Sequence, residues 1–286
     1  MASVEQALRQ AASLLAGGGI ADPRHEARIL LGHVMGLTRE QVLLRHQSSM
    51  DAPQMANLIG LARRRAAHEP IAYLTGAREF WGLSFDVTRD TLIPRPDSET
   101  LIEAALRFAN RAALNSPRIL DLGTGSGCLL ISLLTELPSA EGVGTDRSYA
   151  ALAVARRNAS RHGVSARAHF AAGSWGQAVA QHFDLIIANP PYIAATARAG
   201  LMPEVRDHEP AEALYAGARG DEAYTAIAPE VLRLLAPSGC AFVELGAGLG
   251  DRVATIFRAA GLAECERRKD LAGIARCGVF KRERIG

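Results

Sequence analysis

The sequence is poor in lysine, in clustered cysteine and in long apolar runs, and each shortage removes a class of protein. Lysine occurs only at Lys269 and Lys281, the other 30 of the 32 basic residues being arginine, and the formal net charge is +2. So strong an arginine bias is compositional. A near-neutral chain without a nucleic-acid-binding module lacks the basic footprint expected of a nucleic-acid binder. The local runs Arg63-Arg64-Arg65, Arg156-Arg157 and Arg267-Arg268-Lys269 read as solvated faces, with a docking role open for the first. Cys128, Cys240, Cys265 and Cys277 stand far apart with no CxxC. That excludes the usual zinc spacing and argues against a disulfide framework, so the thiols read as small core residues in a reducing compartment. The eight histidines form no strong metal-ligand cluster, and no metal is expected. No apolar run reaches the ~18 residues of a membrane span. Glu5, Gln6, Arg9 and Gln10 precede Leu14-Leu15-Ala16, a pattern of an amphipathic helix and not of a signal peptide, so the expected location is the cytoplasm. No internal repeat or low-complexity tract is present.

What remains is a chain of 286 residues, 48% hydrophobic and 22% charged, the composition of a soluble globular protein and the length of one large domain with a small one beside it. Residues 1–75 read as short helices. Val4, Leu8, Ala11, Leu14 and Leu15 recur at helical spacing, and Gly17-Gly18-Gly19 stops the run. Asp22-Pro23 offers an N-cap followed by proline at the first helical position. Thr38-Arg39-Glu40-Gln41 resembles a capping box, and Asp51-Ala52-Pro53 opens a further helix that runs to His68. Residues 76–96 read as a hairpin and linker segment, and the period changes over 78–92. Phe80, Trp81, Leu83, Phe85 and Val87 suggest a hairpin, joined to a loop in which Pro94 and Pro96 flank Arg95. Asp97 or Ser98 can cap the helix that follows.

Residues 97–286 read as the larger domain, in which strands and helices alternate from residue 117. Strands are expected at 118–122, 141–146, 166–171, 183–188, 240–245, 263–268 and 277–282, the last two as a hairpin. Seven strands with helices between them give an α/β fold with a doubly wound sheet. Two stretches mark a site. Asn189-Pro190-Pro191-Tyr192 follows the buried strand 183–188, and ligands of open α/β sheets bind at the carboxyl ends of strands. Proline fixes φ near −65° and restricts the residue before it. The carbonyls of Asn189 and Pro190 and the Asn189 amide oxygen therefore form a rigid set of acceptors beside an aromatic ring, suited to a planar group bearing an NH2. Upstream, Gly123-Thr124-Gly125-Ser126-Gly127 is a glycine loop after a strand, and Asp146 closes the next strand, where a carboxylate can accept from ribose hydroxyls. The dinucleotide fingerprint G-x-G-x-x-G is not matched, because the third glycine comes one residue early and Cys128 stands in its place. Asp121, inside the strand before the loop, suits a cationic ligand end. Both features favour S-adenosyl-L-methionine over a nicotinamide cofactor. Trp175 reads either as a wall for adenine or as core.

Together these motifs resemble the Rossmann-like class I methyltransferases that modify an amide or amino nitrogen. Adding Glu69-Pro70-Ile71-Ala72-Tyr73-Leu74-Thr75-Gly76, Glu79-Phe80-Trp81-Gly82 and Ile93-Pro94-Arg95-Pro96-Asp97-Ser98-Glu99, the chain looks like the protein-glutamine N5-methyltransferases of the HemK/PrmC type. That resemblance implies an S-adenosylmethionine-dependent enzyme that methylates the glutamine of the Gly-Gly-Gln motif of class I peptide-chain release factors, with an N-terminal helical domain that recognises substrate. A sister family that methylates a ribosomal protein reads closer to Pro-Arg-Ser-Pro where this chain has Pro94-Arg95-Pro96-Asp97. By the resemblance, Gly123, Thr124, Gly125, Ser126, Gly127, Asp146, Trp175 and Asn189 hold the cofactor. Asn189 and Pro190 accept the two N–H bonds of the substrate amide, with Pro191 beside them, and Tyr192 packs on the amide plane. Arg95 and Phe80 are pocket or docking residues. The expected partner is a release factor, without direct nucleic-acid or membrane contact, and the expected state is a monomer. The alternatives are methylation of a ribosomal-protein glutamine, or of an exocyclic amine such as adenine N6 or guanine N2 in a flipped base.

Overall fold

The computed structural model describes residues 2–45 and 48–283. In chain order these form β1 (Ala2–Ser3), α1 (Val4–Gly17), α2 (Pro23–Met35), α3 (Arg39–Leu44), β2 (Ser49–Met50), α4 (Ala52–Ala66), α5 (Ile71–Thr75), β3 (Ala77–Phe80), β4 (Leu83–Asp86), α6 (Glu99–Arg111), β5 (Arg118–Leu122) and α7 (Cys128–Glu136). There follow β6 (Glu141–Asp146), α8 (Tyr149–Arg161), β7 (Ala168–Ala172), β8 (Phe183–Ala188), α9 (Pro203–His208), α10 (Ala211–Leu214), α11 (Glu222–Leu234), β9 (Leu235–Glu244), α12 (Gly250–Ala259), β10 (Leu262–Lys269) and β11 (Ala275–Arg282). The chain divides into two compact units: residues 1–77 with 202–208, and residues 78–201 with 209–286.

The smaller unit is helical because its caps and apolar stripes agree. Ser3, Thr38 and Asp51 each form a full capping box with the glutamine three residues on, and Asp22 caps α2 with Pro23 in the first turn. Gly36, at φ +62°, closes α2 in the left-handed region. Val4, Ala7, Ala11 and Leu15 of α1 pack with Leu30 and Leu31 of α2 and Leu58 of α4 in one core. The run Arg63-Arg64-Arg65 is not wholly the solvated face expected of it. Arg65 is buried and bonded to both oxygens of Glu26, to Glu204 of α9 and to the Glu69 carbonyl. Its place on the inner face of α4, beside Leu58, Leu61 and Ala62, draws it inward, where carboxylates from distant parts of the chain meet it. Removing one partner of a buried pair leaves an uncompensated charge. Arg65→Ala is expected to destabilise the smaller unit by about 3 kcal/mol, the low end for a broken buried pair, because Glu26 and Glu204 keep some solvent. Denaturant unfolding followed by far-ultraviolet dichroism checks this, and an unchanged midpoint would contradict it.

The larger unit is built on a seven-stranded sheet among the described residues, in the order β10-β11-β9-β8-β5-β6-β7. β9, β8, β5, β6 and β7 run parallel, and β11 and β10 pair antiparallel at one edge. The seven expected strands are all present, β5, β6 and β8 at the expected bounds and the other four with bounds shifted by one to five residues. Strands covered on both faces carry near-continuous apolar runs, and β8 from Leu185 to Ala188 illustrates this. Leu185 and Ile187 pack on one face with α6 and α7, while Ile186 and Ala188 pack on the other with α11. The sheet grows from β5 through β6 to β7, then resumes on the other side of β5 with β8. A crevice therefore opens between the carboxyl ends of β5 and β8, the topological switch point where such sheets bind ligands. The hairpin β3–β4 forms as expected, and from Arg78 onward it clusters with the larger unit. The region 194–214 splits. Its central helix α9 belongs to the smaller unit, whereas Ala195–Gly200 forms a 3-10 helix and α10 lies in the larger unit.

Candidate active site

Each half of the site begins where a strand stops. β5 ends in Gly123-Thr124-Gly125-Ser126-Gly127, and the three glycines take φ +75°, +55° and +81°, a region that side-chain-bearing residues rarely adopt. The loop is anchored from the next strand, because the N–H groups of Gly123 and Thr124 both donate to the Thr145 carbonyl at 2.9 Å. Asp146 holds two turns at once. Its Oδ2 accepts from Gly125 N and its Oδ1 from Ser148 N, both at 2.9 Å. Each carboxylate oxygen keeps further acceptor capacity. Gly127 is the residue before α7, and a Cβ there would stand 2.9 Å from Ile131 Cδ1. Gly127→Ala therefore combines backbone strain with overpacking and is expected to destabilise the larger unit by about 2 kcal/mol, readable as a lowered denaturation midpoint. An unchanged midpoint would show that the loop relaxes freely.

Trp175 sits across from this loop at φ +48°. Such outliers in non-glycine residues gather at functional sites, where the surroundings hold them. The indole lies beside the loop, since a Cβ at Gly123 would meet Trp175 Cζ3 at 3.5 Å, an ordinary van der Waals contact. The ring also packs on the core of the α11 side. Asp121 lies deeper. It is fully buried, its Oδ2 accepts from the Thr124 hydroxyl at 2.6 Å, and its Oδ1 has no hydrogen-bond partner among the described residues. Burial pushes its carboxyl up to about 7.

β8 ends in Asn189-Pro190-Pro191-Tyr192. The chain beyond is fixed by Ile193, which donates to the Leu214 carbonyl and accepts from Ala216 N, both at 3.0 Å. The Tyr192 ring lies against the backbone of Gly246, where a Cβ would stand 3.0 Å from Tyr192 Cδ2, and its hydroxyl donates to Glu244 Oε1 at 3.4 Å. Asn189 Nδ2 donates to Ser98 Oγ at 3.1 Å, and the Ser98 hydroxyl donates to Glu244 Oε2. Ser98 precedes α6 but makes no side-chain cap bond to it. The expected cap is absent because the buried carboxylate of Glu244 takes the hydroxyl.

A cavity of about 480 Å³ opens over both strand ends, within the roughly 300–1,000 Å³ of small-molecule sites. Gly123, Thr124, Gly125, Ser126, Asp146 and Trp175 line one part of it, and Arg95, Ser98, Asn189 and Pro191 another. Gly127, Pro190 and Tyr192 are not in its wall. Gly127 is turned into the α7 junction, Pro190 is buried, and Tyr192 is held on Gly246 and Glu244. Arg95 is fixed by an ion pair with the buried carboxylate of Glu209, which also accepts from Ile93 N at 3.2 Å. Phe80 is a correction. It is 1% exposed, packs edge-on against Phe85 at 6.3 Å and belongs to the core, because the last residue of β3 points inward. It neither lines the cavity nor offers a docking surface. Ser98, Glu209 and Glu244 are the residues that sequence reasoning missed. Ser98 was in view only as a cap, and the acids of 209 and 244 follow from no local pattern.

The cavity fits S-adenosylmethionine on its own terms: glycine backbone open to close approach, a carboxylate one strand away, and an indole across from the loop. No group of three or more acidic, histidine or cysteine residues that could hold a metal occurs among the described residues. Nor is any helix among them long and apolar enough to cross a membrane.

Fold and site together define a Rossmann-like methyltransferase that uses S-adenosylmethionine, and comparison with known proteins agrees. Residues 6–76 match the PrmC N-terminal domain and residues 99–204 the methyltransferase small domain. A release factor glutamine methyltransferase from Rhodospirillum rubrum is 43% identical over 268 residues, covering 94% of this chain and 82% of the relative. Those of Bradyrhizobium diazoefficiens and Cereibacter sphaeroides are 42% and 44% identical, covering 96% and 93% of this chain and 93% and 94% of theirs. Among solved structures, a ribosomal protein L11 methylase from Lactobacillus delbrueckii subsp. bulgaricus aligns with a TM-score of 0.50 at 18% identity, over 69% of this chain and 84% of that one. A methyltransferase from Pyrococcus furiosus aligns with a TM-score of 0.52 at 17% identity, over 78% and 100%. These two share the fold. The chain belongs to the release factor glutamine methyltransferase family.

Proposed function

We propose that this chain transfers a methyl group from S-adenosylmethionine to the side-chain amide nitrogen of the glutamine in the Gly-Gly-Gln motif of class I peptide-chain release factors, and so adjusts translation termination. The observation that carries this is the placement of Asn189 in one cavity with the glycine loop and Asp146, at the ends of neighbouring parallel strands. The names of the relatives supply the substrate class, and the intact Pro94-Arg95-Pro96-Asp97 loop favours a release factor over a ribosomal protein.

The cofactor supplies an electrophilic methyl on a sulfonium; the protein's task is to aim a poor nucleophile at it. A carboxamide nitrogen is poor because its lone pair is delocalised into the carbonyl. Asn189 Oδ1 accepts one N–H of the substrate amide, and the other is assigned to the carbonyl of Pro190, the next acceptor along a stiff chain, which does not line the cavity and is met only when the glutamine is seated on the strand end. Holding both favours pyramidal nitrogen and stabilises the positive charge that grows there during transfer. Orientation of this kind can supply roughly 7–11 kcal/mol of a barrier. No side-chain base is required, since the methylated amide cation is acidic enough to lose its proton to water. Tyr192 stiffens this arrangement from behind, and Arg95 is a docking residue at the cavity wall. The proposed partner is the release factor alone, met by a monomeric enzyme in the cytoplasm without nucleic acid.

A substrate panel tests the reading. With labelled S-adenosylmethionine, a class I release factor is expected to take label, while a ribosomal-protein fraction and adenine-containing oligonucleotides take none. Label on either of the latter and none on the release factor would replace the proposal.

A further inference from the structure

The Ser98–Glu244 pair has no part in the reaction as described, yet it touches both ends of the Asn189–Tyr192 motif. Glu244 is the last residue of β9 and is buried. One of its oxygens accepts from Ser98 and the other from Tyr192. Ser98 is 2% exposed, comes from the loop before α6 and accepts from Asn189 Nδ2. A serine hydroxyl has one proton to give. A carboxylate can only accept, so an ionised Glu244 must receive that proton. Ser98 can then offer Asn189 only a lone pair, which an N–H must fill. The Asn189 amide is thereby forced to turn its nitrogen toward Ser98 and leave Oδ1 for the cavity that Asn189 lines.

We propose that Glu244, acting through Ser98, is the positioning residue that sets which end of the Asn189 amide faces the substrate. This rests on the reading above, in which Asn189 Oδ1 is the acceptor for the glutamine N–H. The device is directional. A neutral acid at 244 can donate to Ser98, which frees the serine proton to donate to Asn189 Oδ1. The amide then turns its NH2 into the cavity and meets the substrate NH2 donor to donor.

The surroundings allow Glu244 to change state. Arg276 from β11 favours its carboxylate and Asp97 from the loop before α6 opposes it. Tyr192 and Ser98 bond its two oxygens, Tyr224 of α11 donates to its main-chain carbonyl at 2.9 Å, and Cys277 pairs with it across the sheet. Burial raises its carboxyl to about 7. A raised carboxylate pKa means that the aligned, ionised form dominates above about pH 7 and is lost as pH falls through that value. Methyl transfer is therefore expected to decline on the acid side with an apparent pKa near 7.

Two variants separate this from a merely structural role. Glu244→Gln keeps size and hydrogen bonding but cannot ionise, and its NH2 can donate to Ser98. It is expected to lower kcat at least 10-fold at pH 8 and to flatten the acid limb of the kcat profile, while the Kd for S-adenosylmethionine by calorimetry and the melting temperature change little. Ser98→Ala removes the relay and is expected to lower kcat with the same flattening. Asn189→Ala run alongside keeps the two ideas distinct. If Asn189→Ala is inactive but Glu244→Gln and Ser98→Ala keep wild-type kcat and the same acid limb, the positioning role is overturned while the Asn189 reading survives. If Asn189→Ala turns over normally, the Asn189 reading itself fails. Loss of kcat in Glu244→Gln with an unchanged acid limb would also overturn the proposal, since it would show support without ionisation.

Discussion

Asn189→Ala is expected to lose methyl transfer by a factor of about 100 to 1,000 while still binding cofactor. The magnitude is that of removing one acceptor or donor aimed at a charge developing in the transition state, about 3–4 kcal/mol. The reason that cofactor binding survives lies in the geometry. The glycine loop is tied to the Thr145 carbonyl and to Asp146, not to Asn189, and the Asn189 side chain bonds to Ser98. Truncation leaves the Ser98 hydroxyl still bonded to Glu244, so no buried group loses its strongest partner. The loss should fall on kcat, as expected for an interaction that strengthens in the transition state. Single-turnover rates at saturating cofactor and release factor measure it. A rate within a few-fold of wild type would remove Asn189 from the chemistry.

Asp146→Ala should act on the other half of the site with the opposite kinetic signature. The carboxylate accepts from Gly125 N and Ser148 N, so its loss both slackens the glycine turn and removes an ionised acceptor from the cavity wall. Bonds to charged groups contribute about 1.5–3 kcal/mol each. Losing those to a ligand hydroxyl, together with the preorganised loop, is expected to weaken S-adenosylmethionine about 100-fold, which corresponds to roughly 2.8 kcal/mol. Turnover at saturating cofactor should change far less, because Asn189 and its support are untouched. Isothermal calorimetry for the cofactor, with kcat extrapolated to saturation, separates the two. Unchanged affinity would mean that Asp146 serves the loop alone.

The parts of this account that were legible in the sequence are those governed by short spacing. The caps at Asp22, Thr38 and Asp51, the glycine loop, Asp146 and the stiff Asn-Pro-Pro step are all local, and the central strands carry short apolar runs, as at 185–188, because both faces are covered. The family resemblance was legible for the same reason, since it rests on contiguous motifs. What was not legible depends on residues that meet only in the folded chain. Ser98 lies 91 residues from Asn189 and 146 from Glu244, so nothing near it shows that its hydroxyl faces an acid instead of a helix end. Arg65 looked like one of three solvated arginines until Glu26 and Glu204, 39 and 139 residues away, were seen to close on it. Phe80 erred the other way. Its place in a motif next to Trp81 suggested an exposed role, whereas strand alternation turns it into the core.

The central claim is that this enzyme places its methyl group on one amide nitrogen. Tandem mass spectrometry of the peptide that carries the Gly-Gly-Gln motif, after incubation of a class I release factor with the enzyme and S-adenosylmethionine, tests it most directly. The account predicts a single methyl mass increment located on the glutamine side chain, and none on a factor whose glutamine is replaced by alanine. Methyl on any other residue, or an equal increment on the alanine variant, would contradict it.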